Sequence, residues 1–128
     1  MRRVDDEREI RALVEQWCDA ACEGDADLVV ARHTPDIVMF DVPEPASSQG
    51  LAAYRETWSL FFEQNPQGPA RFRVIDLVVI VGADVVFAYG LLSINASKTR
   101  CRLTLGLRKI DGVWWFAHEH HSMPVLLS

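Results

Sequence analysis

The last third of the chain constrains the fold most. Four strand-length apolar runs follow one another between residues 71 and 123: RFRVIDLVVIVG, DVVFAYGLLSINAS, TRCRLTLGLRKI and VWWFAHEHHSM. Short turns separate them. Gly82-Ala83-Asp84 joins the first pair, and Asp111-Gly112 is a strong two-residue hairpin signal for the last pair. Consecutive runs joined in this way predict an antiparallel meander, and one face of such a sheet needs a cover.

The N-terminal half supplies that cover. Ile10, Leu13, Val14, Trp17 and Ala21 form one apolar stripe at helical spacing, so residues 4–23 read as a helix. Asp5, Asp6 and Glu7 suit its positive end. Gly24 is placed to end it, and Asp25 to cap a second helix over about 25–33 that Thr34-Pro35 would stop. DIVMFDV (36–42) reads as a strand and PEPASSQG (43–50) as a loop. A third helix over about 50–64 carries Tyr54, Trp58, Phe61 and Phe62 on one stripe before NPQGP breaks it. The predicted class is α+β, with three helices packed on a curved, mostly antiparallel sheet in a single domain, 1–128.

Composition narrows the partners. A formal net charge of −5 without any Lys/Arg block argues against nucleic acid and anionic membranes. No run approaches the ~18 apolar residues of a membrane span, and MRRVDDEREI lacks the apolar core of a signal peptide. The cytoplasm is therefore the expected compartment. Cys18 and Cys22 lie four apart on one helix face and Cys101 stands alone, which predicts free thiols. No phosphate-binding glycine loop or nucleophile elbow occurs, so nucleotide binding and serine hydrolysis are unsupported.

Strand alternation sorts the C-terminal side chains into faces. In 113–122 one set is Trp114, Phe116, His118, His120 and Ser122; the other is Trp115, Ala117, Glu119 and His121. In 100–109 one set is Arg100, Arg102, Thr104, Gly106 and Arg108; the other is Cys101, Leu103, Leu105, Leu107 and Lys109. Either the helices or a second subunit must cover the leucine set, and composition alone does not decide between them.

Three segments carry a family resemblance: EGDADLVVARHTPDIVMFD, QGLAAYRETWSLFF and RLTLGLRKIDGVWWFAHEHHSMP. In this order and spacing the chain resembles the ketosteroid-isomerase-like proteins of the NTF2-like superfamily, particularly the SnoaL-like branch. The resemblance implies a cone: a bent sheet wrapped around helices, with an internal pocket and a homodimer formed through the outer sheet face. It implies Arg102, Thr104, His118 and His120 turned inward, and Leu103, Leu105 and Leu107 left for the partner. In ketosteroid isomerase the base is an Asp late in the first strand, which matches Asp41 by position; a Tyr and a protonated Asp stabilise the enolate. This chain departs at both donors. Trp17 stands at the Tyr position, and residues 98–110 contain no Asp or Glu. SnoaL-type cyclases use a last-strand Asp, where this chain offers His118 and His120.

The expected site follows. Asp41 among apolar neighbours is the candidate base. His118 and His120, about 6–7 Å apart on one strand face, are the candidate acid or relay. Trp17, Tyr54 and Trp58 are candidate ligand contacts whose N–H or O–H could reach a carbonyl; Arg102, Thr104 and Phe116 complete the expected lining. Glu119 and His121 fall on the opposite, surface or dimer face, and His33 reads as a partner for a helix C-terminus. The resulting expectation is a cofactor-independent acid/base enzyme (isomerase, cyclase or dehydratase) acting on a small apolar carbonyl compound, with neither metal nor cofactor. Two alternatives stand beside it. One is a non-catalytic ligand-binding or dimerisation module; the other is a metal-dependent enzyme using the His pair with Asp41 or His33.

Overall fold

The computed structural model describes residues 3–127. Helix α1 (Arg3–Glu23) and a single turn α2 (Ala26–Val29) precede strand β1 (His33–Phe40) and the two-residue β2 (Ser48–Gln49). Helix α3 (Leu51–Gln64) follows, then β3 (Arg73–Val81), β4 (Val85–Ser93), β5 (Cys101–Ile110) and β6 (Val113–Ser122). The expected ααβα order and four-strand meander are present. The second helix is shorter than expected, because the chain turns extended at His33 and takes Pro35 into β1.

One six-stranded sheet forms in the order β2-β1-β6-β5-β4-β3. The meander is antiparallel throughout, and β1 joins β6 in parallel. That parallel pairing lays the end of β1 alongside the end of β6, with Met39 opposite Glu119 and Phe40 opposite His120. Bulges bend the sheet into a cone. In β3 the extra residue lies between Ile75 and Val78, where Asp76 takes a left-handed φ of 56°. Gly90 stands opposite; a Cβ there would meet the Ile75 carbonyl oxygen at 2.9 Å, so the bulge needs a glycine across from it.

The concave face and the helices share one core. Ile10, Leu13, Val14, Trp17 and Ala21 of α1 are buried, as their spacing predicts. Trp58 of α3 packs edge-to-face with Tyr54, Trp17 and Phe72, and Trp17 with Phe72. At the far end of α1, buried Asp6 accepts from Trp114 Nε1 (3.0 Å) and Lys109 Nζ (3.4 Å). The Trp114 N–H first, and then the Lys109 charge, hold its carboxyl below the usual range against the opposing effect of burial. The buried Arg71 guanidinium donates to the carbonyls of Ala21, Phe62 and Asn65, tying the C-terminal ends of α1 and α3 together. Cys18, Cys22 and Cys101 are all buried free thiols, and burial pushes Cys18 up to about 12.

The helices cover the leucine set. Leu103, Leu105 and Leu107 are at most 1% exposed within the single chain, so they cannot serve a partner surface. Arg102 and Thr104 are exposed on the convex face, not turned into a cavity. The convex face of β4 presents Val85, Phe87, Tyr89 and Leu91 instead, beside Val78 and Ile80 of β3.

These assignments predict contrasting losses. Leu105→Ala costs about 2–5 kcal/mol of unfolding free energy, whereas Thr104→Ala stays within ~0.5 kcal/mol. Urea unfolding at two protein concentrations measures both. A Leu105 effect that appears only through concentration dependence would return that side chain to an interface.

Candidate functional site

Strand β6 does not keep one parity along its length. Leu107 pairs with Phe116 and Gly106 with His118, so Ala117 is an extra residue bulged out of the ladder. A one-residue insertion exchanges the faces of everything beyond it. Trp114 and Phe116 point into the core; past the bulge, Glu119 and His121 point inward and His118 and His120 outward. The expectation of an inward His118–His120 pair is thereby corrected. His118 Nδ1–H donates to the Val38 carbonyl at 2.7 Å, and both rings pack edge-on against Phe40 on the convex side. Arg102 donates to Ser122 Oγ on that same side (3.0 Å).

A cleft of about 330 Å³ opens between α3 and the joined ends of β1, β5 and β6. Met39, Asp41, Trp58, Phe61, Phe72, Cys101, Glu119 and His121 are among its walls. Of the expected residues, Asp41 and Trp58 are therefore in it. Tyr54 and Trp17 are buried at 0% and 2% exposure and act behind it. Phe116 lies deeper, stacked on His33 and packed on Trp17.

A continuous polar chain runs from the interior to the cleft. Glu119, 1% exposed, uses both oxygens. Tyr54 donates to Oε1 at 2.7 Å, and the His121 Nε2 bonds to Oε2 in a very close pair. His121 Nδ1 faces Asp41 Oδ1 at 3.7 Å. Asp41 itself, whose side chain is 30% exposed, accepts from its neighbour's Val42 N–H at 2.8 Å. Behind Tyr54, Trp17 Nε1 donates to the hydroxyl (3.2 Å) and His33 Nε2 lies 3.1 Å from it. His33 bonds the carbonyls of Val30 and Ala31 just past α2, and its ring also joins the buried interior network.

The proton positions follow from the partners. A carbonyl only accepts, so the 2.9 Å contact between His33 Nδ1 and the Ala31 carbonyl puts the proton on Nδ1. A neutral His33 then offers an Nε2 lone pair, and Tyr54 has two acceptors, His33 and Glu119, for one proton. Burial holds His33 below the ordinary histidine value and keeps it neutral, with the Ala31 carbonyl and Glu119 opposing. Burial and then Glu119 push the Tyr54 phenol well above its ordinary range, so it stays a donor. For His121, burial disfavours the charge, but Glu119, through charge and hydrogen bond, and then Asp41 outweigh it; the imidazole is raised above 6.5. His121 is thus held at the cleft wall between two carboxylates, Glu119 on Nε2 and Asp41 near Nδ1.

Sequence reasoning missed Glu119, His121 and His33. One signal could have corrected the leucine set, though not found these three residues. The Asp111-Gly112 hairpin registers Leu107 opposite Phe116, so an inward Phe116 requires an inward leucine set. The bulge that then turns Glu119 inward has no comparable signal. Among the described residues, no group of three or more His, Cys, Asp or Glu side chains is placed to hold a metal ion.

With this geometry in hand, the comparisons define the class. The SnoaL-like domain profile matches residues 10–126. The crystal structure of an NTF2-like protein of unknown function from Pseudomonas putida KT2440 superposes with a TM-score of 0.85 at 30% identity, covering 94% of this chain and 88% of that one. A candidate ketosteroid isomerase from Parabacteroides distasonis ATCC 8503 gives 0.70 at 23% identity over 90% and 85% of the two chains. A protein of unknown function with a cystatin-like fold from Nostoc punctiforme gives 0.77 at 14% over 93% and 91%. No curated protein matches the sequence. The chain belongs to the SnoaL-like family and has the NTF2-like fold.

The network predicts opposed histidine titrations. In an NMR titration His121 protonates above 6.5 and His33 below it. Because the His121 value is raised on folding, its stabilising contribution is complete below pH 6.5 and is lost as pH rises through the raised value. His33 acts in the opposite sense: its contribution is present above 6.5 and lost as pH falls through the depressed value. The unfolding free-energy gap between wild type and His121→Asn therefore narrows from pH 6 toward alkaline pH; a gap that widens contradicts the assignment.

Proposed function

We propose that the cleft carries out cofactor-independent proton transfer next to the carbonyl of a small apolar compound, the chemistry of an isomerase, cyclase or dehydratase. The observation that carries this reading is the Asp41–His121–Glu119 arrangement at the wall of an aromatic cleft. Asp41 takes the proton from the carbon beside the carbonyl. His121, as imidazolium, gives its proton to the developing oxyanion, yielding an enol; the reverse transfers return the proton to carbon and restore both groups. Glu119 orients the imidazole and offsets its charge, and Tyr54 orients Glu119. His121 thus takes the acid role first given to His118 or His120, and Trp58 takes the ligand-facing place. Likeness to a candidate ketosteroid isomerase supports the fold of this reading, not its substrate.

A second copy of the chain on the convex face is also proposed, through different residues from the buried leucines. Val85, Phe87, Tyr89 and Leu91 are 62%, 50%, 45% and 37% exposed, and the Phe87 and Tyr89 rings lie parallel along β4. A row of large apolar side chains on one strand face suits a self-complementary contact.

Two experiments test these readings. Deuterium incorporation from D₂O into aryl alkyl ketones, followed by NMR, is expected to be accelerated by wild type. His121→Gln and Asp41→Asn should each lose at least ~100-fold of that acceleration; full rates in both variants would remove the acid/base pair. Sedimentation velocity should show a dimer that Phe87→Glu converts to a monomer, and a monomeric wild type ends the dimer proposal.

A further inference from the structure

We propose that the cleft is selective for a cationic, amine-bearing apolar ligand and rejects carboxylates. This deepens, and rests on, the reading of the cleft as a ligand site. Its lining holds three carboxylate side chains, Asp41, Glu44 and Glu119, against one basic ring, His121, and includes neither lysine nor arginine. Even with His121 protonated, the carboxylates outnumber the cation. Glu119 is fully engaged by Tyr54 and His121, but Asp41 sits part-exposed at the rim with only its own loop's Val42 N–H at bonding distance.

The rest of the wall is aromatic. Trp58, Phe61 and Phe72 line the same space, with Trp58 at 5.4 Å from Phe61 and 5.1 Å from Phe72, both edge-on. Aromatic faces next to carboxylates in a partly desolvated space are the surroundings that hold an ammonium group. The guanidinium of Arg71 lies against Phe61 at 5.6 Å, yet it lines no part of the cleft and serves the helix-end carbonyls of Ala21, Phe62 and Asn65. Arg102, expected to clamp a ligand carboxylate, is on the convex face bonded to Ser122. An anionic ligand would therefore meet no cationic side chain but His121, which two carboxylates already neutralise.

Trp58 adds apolar surface to the cleft rather than a polar anchor. It is 4% exposed and lines the cleft, while its fully buried Nε1 lies by the Tyr54 hydroxyl behind the cleft. The ligand so described is apolar, carries an amine at one end, and fits about 330 Å³.

Three probes of one shape test the claim by calorimetry at low salt and neutral pH: para-(trimethylammonio)acetophenone, para-tert-butylacetophenone and para-acetylbenzoate. The cation is expected to bind at least ~10-fold more tightly than the anion, with the neutral ketone between them. Asp41→Asn should narrow that span several-fold. Trp58→Ala removes the indole wall of the cleft and should weaken all three. An anion that binds as tightly as the neutral probe, no saturable binding by any probe, or an unchanged span in Asp41→Asn overturns the proposal. Ordered binding without deuterium exchange would remove the catalytic reading and leave the charge selection standing. Exchange without that order would do the reverse.

Discussion

One extra residue in the last strand governs the rest of the site. Ala117 bulges from β6, and the parity of the strand reverses there. Upstream, Trp114 and Phe116 fill the core; downstream, Glu119 and His121 take the inward positions and His118 and His120 the outward ones. Without the bulge, the inner face would carry His118 and His120, and the buried hydroxyl of Tyr54 would lose the carboxylate it serves. The bulge also bends β6 at its junction with β1, whose own pairing is irregular between His33 and Val38. The same local irregularity therefore shapes the cone and selects the side chains that reach its interior.

Burying a carboxylate is costly unless its lone pairs are taken up. Glu119 meets this demand with Tyr54 on one oxygen and His121 on the other. Each partner depends on a further group: Tyr54 accepts from Trp17 and borders His33, and His121 faces Asp41. The network thereby links α1, β1, α3 and β6 through polar contacts as well as apolar packing. Such an arrangement fixes ring orientation at the cleft wall.

Most of the architecture was legible in the chain. Apolar spacing identified α1 and α3, and the turns at Gly82-Ala83-Asp84 and Asp111-Gly112 delimited the meander. The family resemblance anticipated the NTF2-like fold. The face assignment failed for a physical reason. Alternation extends a parity only while the ladder is regular, and in β6 it is not. The leucine set compounded the error. Opposite Phe116 in the hairpin register, Leu107 had to share its face, yet the two were placed on opposite sides.

What the sequence determined by itself was the order of elements, the apolar stripes, the turns and the family, because periodicity and turn chemistry are local properties. Which histidine faces the cleft was decided only by the tertiary structure. So was the burial of Glu119 against Tyr54, 65 residues away in the chain. The same holds for the approach of Asp41 to His121, since it depends on β1 lying parallel beside β6 with one residue bulged from the strand. Long-range pairing and its irregularities leave almost no local trace, and the arrangement of side chains in this cleft depends on them.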